Sequence, residues 1–536
     1  MPRTFDFPSL PSDMLRRLLL GFSGRDHLQK IALRAMAHAM GPDDVLASVA
    51  ADALLAAWGE NPLDGNGPAL LVRNMRRLPP LHPALVPLLQ TVMLCWKPEV
   101  TDEAARVFAG GRDGQLAFLR DRTTHAPDNL FWWHHLYEFC RMTGDWSPLV
   151  PLATGPVPVS QLEPLFRYVG ANALLAAGNP AGALAALEQC AAVLPLPIVR
   201  ERVATALCRM GQNGRAQAVL REVWQQRPWN AGPMLRLYDL VQENDAAAKP
   251  LEGRTAVLAY SWNRADDLGA TLDSLLASDL DDVIVRVLDN GSDDATPEVI
   301  RRFVDRFGSE RAAAVRLPVN VGAPAARNWL MHLPEVRESC WAAYIDDDIS
   351  LPADWLHRLG EAVARYPEAG VWGCKVVDAR GPARIQCGEH NLAPEPATRE
   401  QMLMSTIMLQ DGDFGQADYI RPCTSVTGCV HLFRTSRLLE NGGFDLRFSP
   451  TQFDDLERDL RMVLGGGYAV YTGFLSIPHK RASGAVSDTG KAESAGAEAN
   501  ARKLLAKYEP GEFEAMARHM DGVLLADLLA KIEALA

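Results

Sequence analysis

A chain of 536 residues is too long for one core, and its length suggests roughly two to four domains. Hydrophobic residues at 48% and charged residues at 22% are ordinary for globular protein and argue against a disordered or fibrous chain. A formal net charge of −12 argues against a nucleic-acid binder, which needs a basic surface, but leaves room for an anionic small substrate whose charge a metal ion offsets locally.

Residues 1–21 (MPRTFDFPSLPSDMLRRLLLG) hold only a short leucine run, less than the apolar stretch of a signal peptide, and no segment approaches the ~18 apolar residues of a membrane span. That predicts no transmembrane segment, and the nine cysteines, scattered without a close Cys-x-x-Cys pair, predict a reduced, cytoplasmic protein. To about residue 245 the chain is rich in Ala and Leu, poor in β-branched runs, and predicted helical. Gly144, Gly178 and Gly211 are spaced by 34 and then 33 residues, and Ala183/Ala216, Leu187/Leu220 and Pro195/Pro228 repeat in the same phase. This matches a tetratricopeptide-like pattern, in which a glycine turn joins two helices, a small residue marks their crossing and a proline closes the unit. Residues 133–145 fit as a first, poorer repeat. We therefore expect an N-terminal helical region at 1–125 and helical repeats at 126–247, whose concave face would take a partner.

A polar linker at 243–253 (ENDAAAKPLEG) marks a change of pattern. Residues 254–260, 283–289, 312–317 and 341–346 read as buried strands, with amphipathic segments at 268–277 and 297–307 between them. Such alternation predicts an α/β domain at 248–490, built on a mostly parallel, Rossmann-like sheet covered on both faces, with a helical segment at 491–536 behind it. Ligands of such sheets bind where strands end. The first strand ends in Ser261-Trp262-Asn263-Arg264. The second ends in Asp289-Asn290-Gly291-Ser292-Asp293-Asp294-Ala295-Thr296, a turn with Asp294 or Thr296 available to cap the next helix. The fourth runs into Asp346-Asp347-Asp348. Three adjacent carboxylates leaving an apolar strand repel one another, and a divalent cation such as Mn²⁺ or Mg²⁺ removes that cost while bridging to phosphates; a solvated acidic turn is the plainer alternative. Further on, Asp454 and Asp455 open a predicted helix, whose N-terminus keeps a carboxylate ionised and able to accept a proton. His479 follows a predicted strand at 468–477, ahead of Lys480, Arg481 and a Gly/Ser/Ala-rich loop that could close over phosphates. Within that loop, Gly484 to Lys491 mimics a phosphate loop, but it has five residues between its glycines and Ala492 where Ser or Thr is needed.

In order along the chain, Ser261-Trp-Asn-Arg264, the Asp289 run, Asn320-Val-Gly322 with Ala326-Arg327-Asn328, the triple aspartate, Gly442-Gly-Phe-Asp445 leading to Asp454-Asp455, and the late His479 resemble the family 2 glycosyltransferases of the GT-A fold, over about 254–480. The resemblance implies an inverting transfer of a hexosyl or N-acetylhexosaminyl group from a UDP-, GDP- or dTDP-sugar to a hydroxyl. It implies that Asp289 meets the nucleobase, that Ser261, Asn263, Arg264 and Arg327 contact the nucleotide, and that Asp346 and Asp347 hold ribose and diphosphate. Asp348 and His479, with Asp346 as a further candidate, are implied as metal ligands. Asp455 is implied as the general base, with Asp454 as the neighbour to which that register can slip. The Gln-x-x-Arg-Trp motif of processive synthases does not appear, which implies single transfer. Repeats joined to such a domain are analogous to protein-glycosylating enzymes acting, for example, on flagellin. The acceptor is thus expected to be a protein or glycan, the repeats a site for a protein partner, and nucleic acid no partner. Surface-polysaccharide synthesis, and a repeat scaffold with an inactive transferase domain, are the alternatives.

Overall fold

The computed structural model describes residues 5–20, 24–381, 383–392, 411–481 and 491–536. The chain divides into two compact units, one comprising Met1–Leu240 with Gln410–Gln416 and the other Val241–Leu409 with Ala417–Ala536.

The first unit is helical from Ser12–Leu18 through Ala231–Val241. The helices Glu163–Ala176 and Pro180–Val193 form one hairpin, and Pro197–Arg209 and Asn213–Gln226 another. Gly178 and Gly211 sit at the two turns with φ of +79° and +69° and open space where a Cβ would stand, so the left-handed backbone alone selects glycine there. Ala183 and Ala216, and Leu187 and Leu220, are completely buried at equivalent places.

A short segment from far along the chain completes this unit. Phe414 is 2% exposed, its ring 4.3 Å from the Arg202 guanidinium carbon and edge-on to Trp146. Its carbonyl accepts from Thr205 Oγ1 at 2.6 Å, and the Asp413 carbonyl from Arg209 Nη2 at 2.7 Å. Truncating a buried phenylalanine costs about 3–5 kcal/mol. Phe414→Ala should therefore lower the stability of the helical unit by that order, read as an earlier loss of far-ultraviolet helical signal in urea. An unchanged midpoint would mean that the segment is only laid on the helices.

In the second unit the strands are β1 (Thr255–Ser261), β2 (Val283–Asp289), β3 (Ala312–Arg316), β4 (Trp341–Ile345), β5 (Val371–Asp378), β6 (Arg384–Cys387), β7 (Ile420–Cys423), β8 (Val430–Arg434) and β9 (Ala469–His479). Their order is β3-β2-β1-β4-β8-β5-β9-β7, with β6 pairing β5. The half made of β3, β2, β1 and β4 is parallel, whereas β8 runs antiparallel to both β4 and β5. The sheet is thus mixed. β2 is buried at every residue and β1 at nearly every one, as the continuous apolar runs predict. Each Val or Leu so buried contributes about 1.5–3 kcal/mol against exposure. The expectation that residues 312–317 form a buried strand needs correction: β3 is the sheet edge, and Ala314 and Arg316 are exposed, because only β2 pairs with it. The strand expected at 468–477 continues to His479, which is its last residue. Helices Lys491–Lys507 and Pro510–Leu535 follow. The Gly/Ser/Ala-rich loop and the phosphate-loop mimic fall, apart from Lys491, outside the described residues.

Candidate active site at the carboxyl edge of the sheet

Because β1, β2 and β4 are parallel, their C-terminal ends emerge along one edge. The turn after β2 is tied to the turn after β1. Asn263, at φ +53°, donates its N–H to Ser292 Oγ at 2.9 Å, and its side-chain oxygen accepts from Asp293 N at 2.8 Å. Asp294 accepts from the N–H groups of Thr296 and Ala265, and Thr296 Oγ1 from that of Arg264, so the expected cap residues also stitch the two loops together. Gly291 has φ +76°, and a Cβ there would meet the Val319 backbone at 2.6 Å. Asn290 and Asn320 join side chain to side chain at 2.9 Å, and Asn290 also accepts from Val321 N. Asp289 is buried at the bottom of this cradle. Its Oδ1 accepts from Ser292 N at 2.9 Å, while Oδ2 lies 3.2 Å from Nε of Arg316, whose side chain is 66% exposed.

The three aspartates after β4 diverge, which is how the fold accommodates them. Asp347 accepts from Ser261 Oγ at 2.5 Å; burial, aided by the charge of Asp348, pushes its carboxyl up to about 7. Asp348 is buried, 3.0 Å from His479 Nε2 and 3.4 Å from Arg264 Nη1. Burial opposes ionisation of Asp348 most strongly, but the hydrogen bond and charge of His479 together with the charges of Arg264 and Lys480 outweigh it and hold this carboxyl below its ordinary value. Burial also opposes the charge on His479, and the Asp348 carboxylate overcomes it, raising the imidazole. Asp346 lies 3.7 Å from Arg327 Nη2 and also within reach of His479; burial raises it against the pull of that guanidinium.

Arg327 is the joint of the site. It is 5% exposed, lies over the rings of Tyr260 and Phe444, and makes a 2.6 Å ion pair with Asp454, which is 2% exposed. Burial pushes the Asp454 carboxyl up to about 6 despite that partner. Asp455, one residue on in the helix Asp454–Leu464, is less enclosed and accepts two backbone N–H groups, Gly428 on Oδ2 at 2.9 Å and Leu456 on Oδ1 at 2.8 Å. Burial disfavours its charge, but Arg327, His431 and these donors together prevail, and its pKa lies below the ordinary carboxylate value. A Cβ on Gly428 would stand 2.5 Å from Asp455 Oδ2, so the approach requires glycine. Asn328, beside Arg327, holds the Gly-Gly-Phe-Asp turn by accepting from Phe444 N and donating to Phe444 O.

All the site residues expected from sequence therefore lie along this edge or on the helices next to it. The structure brings together Ser261 with Asp347, Arg264 and His479 with Asp348, and Arg327 with Asp346 and Asp454. Asn263 and Asp289 stand apart in the turn beneath. Three residues escaped sequence reasoning: Gly428, Cys429 and Gln386. Antiparallel β8 begins opposite the end of β4, with Ile345 beside Val430, and Asp346 N donates to Cys429 O at 3.1 Å. That pairing sets Cys429 beside Asp346, and no local pattern announces it. His479 Nδ1 lies 2.8 Å from Gln386 Oε1, and Gln386 Nε2 donates to the His479 carbonyl at 3.3 Å, so the ring nitrogen facing Asp348 is Nε2.

Residues 257–423 match the family model described as Glycosyl transferase family 2. Residues 257–423 are thus a family 2 glycosyltransferase domain. No curated protein matches the chain. Among solved structures, the mannosyltransferase PcManGT from Pyrobaculum calidifontis, in complex with GDP-Man and Mn²⁺, is 17% identical over 62% of this chain and 85% of its own, with a TM-score of 0.36. GalNAc-T7 with UDP, GalNAc and Mn²⁺ is 12% identical over 49% of this chain and 50% of its own, at 0.37. TarS of S. aureus is 16% identical over 47% and 42%, at 0.31. Among the described residues of the glycosyltransferase, no helix is long and apolar enough to cross a membrane.

Proposed function

We propose that this glycosyltransferase moves a sugar, with inversion, from a nucleoside-diphosphate donor to an acceptor hydroxyl, and that it needs a divalent cation. The observation that carries the reading is Arg327, whose guanidinium touches both Asp346 of the triple aspartate and Asp454 beside Asp455. One arginine thus spans the step between the donor-binding acids and the helix that presents the base.

The oxygen and imidazole donors suit a small divalent cation: Asp346 and His479 offer ligand atoms within 4.8 Å of one another, with Asp348 3.0 Å from His479. Bound among these residues, Mn²⁺ or Mg²⁺ supplies positive charge for a departing diphosphate. The remaining work belongs to side chains. Asp289, recessed under the turn, accepts from a nucleobase N–H. Ser261, Asn263, Arg264 and Asp347 line the nucleotide, Arg264 adding positive charge. Asp455 takes the acceptor's proton as the hydroxyl oxygen bonds to the anomeric carbon and the bond from that carbon to the diphosphate oxygen breaks on the opposite face. Two backbone N–H groups and a low pKa keep Asp455 ionised and aimed before substrate arrives. The acceptor is a protein or glycan, and we assign its recruitment, on the analogy of repeat domains, to the helical hairpins.

Ligand-dependent melting tests the donor and metal parts together. A ligand that binds only the folded chain at a hundredfold excess over its Kd stabilises by about 2.7 kcal/mol. One of UDP, GDP and dTDP should raise the melting temperature with Mn²⁺ and lose most of that effect in EDTA. Asp348→Asn should weaken nucleotide binding and turnover together. Equal binding of all three nucleotides in EDTA would overturn the metal requirement.

A further inference from the structure

The donor cluster contains a sulfur. Cys429 stands at the first turn of the chain before β8, buried, with its Sγ within 4.8 Å of an Asp346 oxygen and a His479 nitrogen. Its position is rigidly specified: its carbonyl takes the Asp346 N–H, and Val430 follows directly in register with Ile345. Thr427 Oγ1 donates toward Cys429 Sγ at 3.6 Å, and Gln386 fixes His479 by accepting from Nδ1 and donating to the backbone carbonyl, so that Nε2 is the nitrogen turned toward Asp348. Asp348 stands 3.0 Å from that same Nε2.

We propose that Cys429 is a ligand of the cation in this site, which makes it a mixed oxygen, nitrogen and sulfur centre rather than one of oxygen and nitrogen alone. The inference rests on the metal-dependent reading above and adds a selectivity to it. Thiolate donors favour borderline ions such as Co²⁺ and Zn²⁺ over Mn²⁺ and Mg²⁺, beyond the preference that any site shows for the later metals. On binding, the sulfur gives its proton to solvent and forms the bond to the ion. The site should therefore take Co²⁺ and Zn²⁺ tightly and be displaced from Mn²⁺ by low concentrations of either.

Cobalt reports the ligand directly. Co²⁺ added to the full-length protein without nucleotide should give weak visible ligand-field bands and, with the same one-to-one endpoint, a strong near-ultraviolet thiolate-to-cobalt charge-transfer band. Cys429→Ser should keep the visible bands and lose the charge-transfer band. Its preference for Co²⁺ over Mn²⁺, measured by competition, should fall by at least about 10-fold, the lower end of what loss even of an outer partner costs a metal site. Gln386→Leu should weaken Co²⁺ binding while retaining the charge-transfer band. Visible bands without a charge-transfer band in the wild-type chain would overturn the proposal and leave the metal-dependent reading standing; so would a charge-transfer band that survives in Cys429→Ser. Absence of any Co²⁺ binding would remove the metal-dependent reading as well. The wild-type spectrum decides the point even if the variant folds poorly.

Discussion

Asp455→Asn lowers turnover by about 10²–10⁴-fold, the usual cost of removing a general base, while nucleotide binding survives. The geometry sharpens this expectation. Both carboxylate oxygens of Asp455 accept backbone N–H groups, from Gly428 and Leu456, and an amide can serve only one of them through its oxygen. The variant should therefore also lose stability, by about 1–3 kcal/mol for a buried donor left unsatisfied. Melting with and without nucleotide separates that loss from the catalytic one. Asp454→Asn tests the register, with its turnover compared at a temperature where the folded fraction is known, because it takes the charge from Arg327's buried partner. If Asp454→Asn abolishes turnover while Asp455→Asn remains active, the register of the base is off by one. If both remain active, the base is another group and the mechanism fails.

Arg327→Met should destabilise the catalytic domain by about 3–5 kcal/mol, because removing one partner of a buried ion pair leaves the other charge uncompensated. The pair is 2.6 Å long, with side chains only 6% and 2% exposed. The guanidinium also lies over Tyr260 and Phe444, so methionine keeps part of the packing but none of the charge. The double variant Arg327→Met with Asp454→Leu should recover much of the loss, since a well-packed apolar pair of similar volume is often neutral or better. Urea unfolding of the single and double variants measures both terms. A double variant no more stable than Arg327→Met would show that the loss comes from packing and not from the stranded aspartate. Because Arg327 also faces Asp346, the single variant should weaken donor binding too.

How far the sequence went depended on whether a signal was local. Apolar runs ending in Ser261, Asp289 and Asp346 located three parallel strand ends, since a strand buried on both faces must be apolar throughout and then stop at polar residues. Gly178 and Gly211 located two helix turns because a left-handed backbone selects glycine. Asp454 and Asp455 announced a helix start because acids favour that end. These are short-range rules, and the family resemblance was assembled from them.

The tertiary structure decided what depends on distant chain. Cys429 meets Asp346 only because antiparallel β8 slots between β4 and β5, a sheet order that no stretch of residues spells out. Gln386 finds His479 across β5, which pairs with β6 on one side and β9 on the other. Phe414 belongs to the helical unit although the sequence on both sides of it belongs to the transferase, because its apolar ring is buried against Arg202 and Trp146. The two adjacent aspartates look alike in the sequence, but the fold gives them different surroundings, enclosing Asp454 with Arg327 and holding Asp455 on two backbone donors. Periodicity and turn chemistry act over a few residues, whereas pairing across a sheet and burial of charge are set by contacts between segments far apart in the chain.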